Sequence, residues 1–251
     1  MKYIISILIT LGVTTYLLAD AAEDVKQQKA QLEELGISPG DVAVESGAET
    51  FSALKGANGK TCASCHGEGG KKIQSAFSRM PRYYKDAKDV QDLDSRIKFC
   101  MENKMKINKA ERNGDFVNLA FFVASLSNDR PVATKAVHKK EKKLYAMGEK
   151  LWYARTGVLD LSCSTCHEVH GGKRIRLQTL VKLSEEKVGS RWPAYRFGKG
   201  ENWTMQDRIR ACYGQTRVAE PEYYSDTVTA LTEYIMIQSK GAKIKIPGLV
   251  R

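Results

Sequence analysis

The sequence predicts an all-α protein built as two tandem domains of one design. Three observations predict it: apolar residues recur at helical rather than alternating spacing, one order of elements occurs twice, and Cys-x-x-Cys-His appears once in each half, at residues 62–66 and 163–167. A length of 251 residues accommodates two units of ordinary domain size, and 42% apolar composition suits packed protein rather than disorder.

Residues 1–21 have the form of a secretory signal: Met1-Lys2, an apolar run from Tyr3 to Leu18, and Ala19-Asp20-Ala21 as an A-x-A cleavage site. The run is short and interrupted for a membrane span, so no stable membrane insertion is expected. An uncleaved anchor is the rival reading, and both export the remainder. Residues 22–41 are polar and close on Ser38-Pro39-Gly40, which reads as a tether or a short surface helix.

The first domain is expected over residues 42–130. Val44, Ala48, Phe51 and Leu54 mark a helix that leads into the first motif, Thr61-Cys62-Ala63-Ser64-Cys65-His66. A loop with Met80-Pro81 precedes a helix read from Asp89 to Met105, with Leu93, Ile97 and Cys100 on one face. A helix from Asp115 to Leu126, apolar almost all round, ends at the breaker cluster Ser127-Asn128-Asp129-Arg130-Pro131.

Residues 131–143, rich in lysine, read as an exposed linker with a solvated His138, and the second domain as 144–251. Leu144, Met147 and Leu151 mark its first helix, Cys163, Cys166 and His167 its motif, and Met205, Ile209 and Cys212 the matching face. Val228, Leu231 and Ile235 mark a closing helix. Thr204 with Asp207 makes a helix-start signal for the Cys212 helix.

The formal charge of +11 survives loss of residues 1–21, because Lys2 and Asp20 cancel. A basic surface favours small anions or an acidic protein partner. The export signal and the scattering of basic residues exclude nucleic acid as the expected partner.

Cys-x-x-Cys-His is the attachment signal for c-type haem: two thiols one turn apart reach the two vinyl groups, and the adjacent imidazole binds the iron. Two copies with the same flanking elements predict two covalent haems, attached at Cys62 and Cys65 with His66 as ligand, and at Cys163 and Cys166 with His167. The domains are therefore expected to be cytochrome c-like. Zinc would need further paired ligands, and only Cys100, Cys212, His138 and His170 remain.

The opposite iron ligand is methionine in many small c-type cytochromes, which leaves Met80, Met101, Met105 and Met205 as candidates. Cys100 and Cys212 compete with them, because both occupy equivalent places. Each follows an arginine by one helical turn, in the frames Arg96-Ile97-Lys98-Phe99-Cys100 and Arg208-Ile209-Arg210-Ala211-Cys212. A guanidinium beside a thiol favours the thiolate, which is both ligand and nucleophile. A Cys100–Cys212 disulfide is the structural alternative. His170 reads as a surface residue of the motif loop, and Trp192, Tyr195 and Trp203 as pocket walls or core.

These frames, with Trp192-Pro193-Ala194-Tyr195-Arg196, Ala219-Glu220-Pro221 and the C-terminal run from Gly241 to Arg251, resemble the SoxA family over residues 40–251. That family is the di-haem cytochrome subunit of the SoxAX complex, L-cysteine S-thiosulfotransferase. The resemblance implies a periplasmic enzyme paired with a mono-haem SoxX-like cytochrome. It would couple thiosulfate oxidatively to a cysteine of a SoxYZ-like carrier and pass two electrons to cytochrome c. It further implies Cys212 as distal ligand and reacting sulfur, open to persulfide formation, with Arg208 as its partner and Cys100 as distal ligand of the first haem. A di-haem electron-transfer protein and a tetrathionate-forming thiosulfate dehydrogenase are the alternatives.

Overall fold

The computed structural model describes residues 27, 30–32, 34–175 and 178–250. The expected signal segment and part of the tether lie outside them. The elements, in order, are α1 (Pro39–Ala53), α2 (Cys62–His66), β1 (Arg82–Tyr84), β2 (Asp89–Gln91), α3 (Leu93–Phe99), α4 (Gly114–Ser125), α5 (Lys139–Tyr153), β3 (Arg174–Ile175), β4 (Gln178–Thr179), α6 (Leu183–Glu186), β5 (Ala194–Arg196), β6 (Glu201–Trp203), α7 (Met205–Gln215), α8 (Asp226–Gln238) and β7 (Gly248–Val250). Among the described residues no helix is long and apolar enough to cross a membrane.

Each half is built on one helix crossing. In the first, α1 packs on α4 with Gly47 at the contact, where a Cβ would lie 2.0 Å from the Asn118 carbonyl oxygen; in the second, α5 packs on α8 with Gly148 2.1 Å from that of Ala230. Only hydrogen in place of a side chain lets the backbones approach so closely. Phe51 and Trp152 occupy matching places beside these crossings. Phe51 stands 6.3 Å from His66 and 5.2 Å from Phe122, and Trp152 stands 5.6 Å from His167 and 5.5 Å from Tyr234, measured between ring centroids.

The helix expected from Asp89 begins later. Residues 89–91 pair antiparallel with Arg82–Tyr84, and Asp92 then caps α3 by accepting from Ser95 N–H at 2.9 Å. The helix closes in a π-turn over Cys100–Lys104. The second half repeats the hairpin as β5–β6, and β7 adds to β5 in parallel.

Two boundaries differ from the sequence reading. Ser38 caps α1 through a capping box with Asp41, so Pro39 and Gly40 belong to the helix and not to a tether. Residues 130–134 are not a free linker either: backbone bonds join Arg130 and Val132 to Ile244, Ala242 and Gly241, and both Val132 and Thr134 are buried. His138 caps α5 and stacks on Tyr83 at 3.7 Å, instead of standing in solvent.

The N-termini of α3 and α7 meet in a buried polar cluster between the halves. Arg112 bridges Asp94 at 3.1 Å and Asp207, Thr204 Oγ1 donates to Asp94 at 2.6 Å, and Gln206 donates to Asp92 at 2.7 Å. Three carboxylates out of water need this compensation, and Arg112 supplies the positive charge. Asp207 thus closes the capping box expected with Thr204 and also holds the halves together.

Glu233 of α8 is fully buried, and neither of its carboxylate oxygens has a hydrogen-bond partner among the described residues. Burial, reinforced by Glu141, pushes its carboxyl up to about 8. A folded value above the unfolded one means that the native state keeps a proton the unfolded chain has lost, so stability falls as pH rises toward 8. Glu233→Gln is expected to remove about 2 kcal/mol of the stability loss between pH 6 and pH 8, read from denaturant titrations at the two values. An unchanged pH slope would contradict this.

Candidate active site

The second motif starts at the end of α5. Ser162 and Thr165 exchange hydrogen bonds that open the turn, Cys163 and Cys166 lie within it, and a π-turn over Thr165–Val169 carries His167. The Val181 carbonyl accepts from His167 Nδ1 at 2.9 Å. That bond fixes the ring orientation, and Cys212 lies close enough to the ring for each to act on the other's charge. Cys212 comes from the last turns of α7, one turn after Arg208, and Arg196 reaches the same site from β5.

Electrostatics around Cys212 are cationic. Burial raises its thiol, but Arg208, the hydrogen bond to His167 and Arg196 outweigh burial and bring it down to about 7. His167 moves the other way: burial lowers it, and Cys212 and the Val181 carbonyl raise it above the ordinary histidine value. Burial and the neighbouring Arg208 lower Arg196 to about 10. Arg208 Nη1 is buried with no hydrogen-bond partner, and no carboxylate pairs with Arg208 among the described residues.

In the first half, Cys62, Cys65 and His66 sit on α2, which Thr61 caps. Cys100 lies close enough to both motif cysteines to act on their charge. Burial holds Cys100 above the ordinary thiol value although Arg96 opposes it, because Asp86 works against Arg96. Met105 Sδ stands 3.8 Å from Cys62 Sγ, whereas Met80 and Met205 line the junction between the halves with Trp192. All six cysteines are free, and Cys100 and Cys212 attend different motifs, which removes the disulfide alternative.

The donor sets fit c-type haem. Each motif offers two sulfurs and an imidazole on one turn. Buried Trp152 Nε1 stands without a partner beside the second motif, as a donor for an acidic group of the haem.

A family model for the SoxA/TsdA cytochrome c domain matches residues 46–132 and again 147–244. The chain belongs to the SoxA/TsdA cytochrome c domain family. The double match falls on the two helix crossings and both motifs, so the fold is two tandem cytochrome c-like domains, and membership implies c-type haem. One relative, an L-cysteine S-thiosulfotransferase subunit SoxA of Hydrogenobacter thermophilus, is 48% identical over 96% of this chain and 94% of its own length. Another of that name, from Hydrogenophilus thermoluteolus, is 33% identical over 85% of this chain and 83% of its own. A crystal structure of SoxXA from P. pantotrophus shares the fold, with a TM-score of 0.78 and 24% identity over 85% of this chain and 79% of that one.

Within this SoxA/TsdA chain, sequence reasoning placed Cys212, Arg208 and His167 together, and they are together. Arg210, in the same frame, is held away from the site: it pairs with Glu220 at 3.0 Å, donates to the Pro221 carbonyl and lies 3.7 Å over Tyr223. His170 is exposed at the end of its turn. Arg196 was visible only as a letter in a family motif; no spacing rule ties a strand residue to a cysteine on a later helix.

Proposed function

We propose that this chain is the SoxA-type subunit of an L-cysteine S-thiosulfotransferase. It joins thiosulfate to a cysteine of a SoxYZ-like carrier, and its partner is a SoxX-like mono-haem cytochrome. The observation that carries the reading is the cationic pocket around Cys212, formed by Arg208, Arg196 and His167. The relatives named as this enzyme's SoxA subunit support the reaction class, and the SoxXA likeness agrees with the pairing. The chain is read as a periplasmic protein exported through residues 1–21, with a first domain that opens on α1 at Pro39 and a second that opens on α5 at Lys139.

We assign two haems: one would be held by Cys62, Cys65, His66 and Cys100, and the other by Cys163, Cys166, His167 and Cys212. When bound, haem supplies an iron centre that takes up single electrons. The protein side chains do the rest. Arg208 and Arg196 hold the thiosulfate dianion by charge-assisted hydrogen bonds, presenting its outer sulfur to Cys212. Cys212 acts as the sulfur that receives and hands on the substrate, and the Val181 carbonyl orients the His167 ring on its side of the site. The reaction balances as carrier thiol plus thiosulfate giving carrier S-thiosulfonate, one proton and two electrons, the electrons leaving to a cytochrome c acceptor.

Mass spectrometry of the carrier after incubation with thiosulfate, the complex and oxidised cytochrome c tests the reading. A thiosulfonate on the carrier cysteine supports it. Cytochrome reduction and tetrathionate without the carrier would make the chain a thiosulfate dehydrogenase instead. Arg208→Met is expected to lower kcat/KM for thiosulfate by about 100-fold, mostly through KM, with Arg208→Lys recovering part of the loss.

A further inference from the structure

The two halves superimpose in sequence around their ligand helices. Arg82–Tyr84 pairs with Asp89–Gln91, and Ala194–Arg196 with Glu201–Trp203, in the same register: Arg82 faces Gln91, and Ala194 faces Trp203. Each hairpin closes through a four-residue turn, at 85–88 and 197–200, whose last residue has positive φ, 53° at Lys88 and 68° at Gly200. In that frame Tyr84 corresponds to Arg196, Asp86 to Gly198, Arg96 to Arg208 and Cys100 to Cys212.

Asp86 grips Arg96 with both carboxylate oxygens, at 2.9 and 3.0 Å, and Gln91 accepts from the same guanidinium at 3.2 Å. Arg96 also lies 4.1 Å over the Tyr84 ring, and Lys104 adds a second cation 3.3 Å from Asp86. None of these partners has an equivalent in the second half: Asp86 becomes glycine, Tyr84 a second arginine, Gln91 Trp203 and Lys104 Thr216. Arg208 is left with a buried nitrogen that has no hydrogen-bond partner.

We propose that one turn position, Asp86 in the first half and Gly198 in the second, decides which sulfur site admits an anionic substrate. The Asp86 carboxylate occupies Arg96, and Gly198 leaves Arg208 to thiosulfate. An anion that approaches Arg96 must displace a bidentate carboxylate tethered beside it at high effective concentration. At Arg208 it displaces nothing, and it satisfies a buried donor that otherwise costs stability. The two halves thus keep the same Arg-to-Cys spacing, while among the described residues Arg96 is held by a carboxylate and Arg208 is not. The identity of the anion rests on the function proposed above; the sorting by charge does not.

The test uses the full haem-loaded complex, with thiosulfate binding measured by calorimetric titration and the haems followed by electron paramagnetic resonance. Gly198→Asp is expected to weaken thiosulfate binding at least tenfold, while Gly198→Asn, of the same size but neutral, stays within about twofold. Asp86→Ala is expected to make the signal of the first haem respond to thiosulfate, and the unaltered protein is expected to show no such response. Equal binding by the two Gly198 variants would overturn the proposal, as would a first-haem signal in Asp86→Ala that ignores the anion. If the unaltered complex binds thiosulfate but leaves the carrier unmodified, the enzymatic reading fails while these comparisons still decide the sorting.

Discussion

Cys212→Ala is expected to lower thiosulfate conjugation by about 1,000-fold or more while both haems stay attached. In the proposed assignment attachment depends on the sulfurs of Cys62, Cys65, Cys163 and Cys166, and none of these is altered. What is lost is the sulfur that Arg208, His167 and Arg196 stabilise together. Methyl in its place leaves three cationic or dipolar groups converging on nothing nucleophilic. Cys100→Ala is the internal comparison: Cys100 has an arginine at the same spacing, yet its charge is already answered by Asp86, so conjugation should change by less than about threefold. Initial rates of carrier modification, with haem content measured by pyridine haemochrome, decide the matter. Full activity of Cys212→Ala with two haems per chain would sink the covalent role.

The second large effect concerns the fold. Gly148→Ala is expected to destabilise the protein by about 3 kcal/mol or more and to reduce incorporation of the second haem. The added Cβ would meet the Ala230 carbonyl oxygen at 2.1 Å, and backbone on both sides of the crossing cannot yield as a flexible side chain would. Separating α5 from α8 moves Trp152 away from His167 and loosens the wall behind the imidazole. Gly47→Ala should act similarly on the first domain, 2.0 Å from the Asn118 carbonyl oxygen. Gly114→Ala, with nothing within 4 Å of its added carbon, should shift stability by less than about 1 kcal/mol. Denaturant unfolding of the three variants separates the crossing glycines from a merely helical one. Equal effects at Gly148 and Gly114 would show that the close approach is not what the glycine serves.

Much of the site was legible because its chemistry is local. Cys163, Cys166 and His167 share one turn, and Arg208 and Cys212 lie one helical turn apart, so a spacing rule finds each group. The duplication was legible for the same reason, since both motifs and both Arg-to-Cys frames repeat in order. Residues 89–91 were read as helix because a three-residue strand leaves little periodic signal, and pairing with Arg82–Tyr84 outweighs it. Residues 130–134 looked like an exposed linker by composition, and only their backbone bonds to 241–244 bury Val132 and Thr134. Arg112 could not be connected to Asp94 and Asp207 by any local rule, because those partners stand in different halves.

The sequence by itself determined the two-domain helical plan, the haem-binding chemistry and the pair of candidate sulfur ligands, all of which are written in residues close together along the chain. Spacing did not tell the two sulfurs apart, because their flanking frames are nearly the same, and only the family resemblance singled out Cys212. The tertiary structure separated them by bringing Asp86 onto Arg96 in one half, and Arg196 and a hydrogen-bonded His167 to Cys212 in the other. A thiol's charge state answers to every charge within a few ångströms, and only the fold fixes which charges those are.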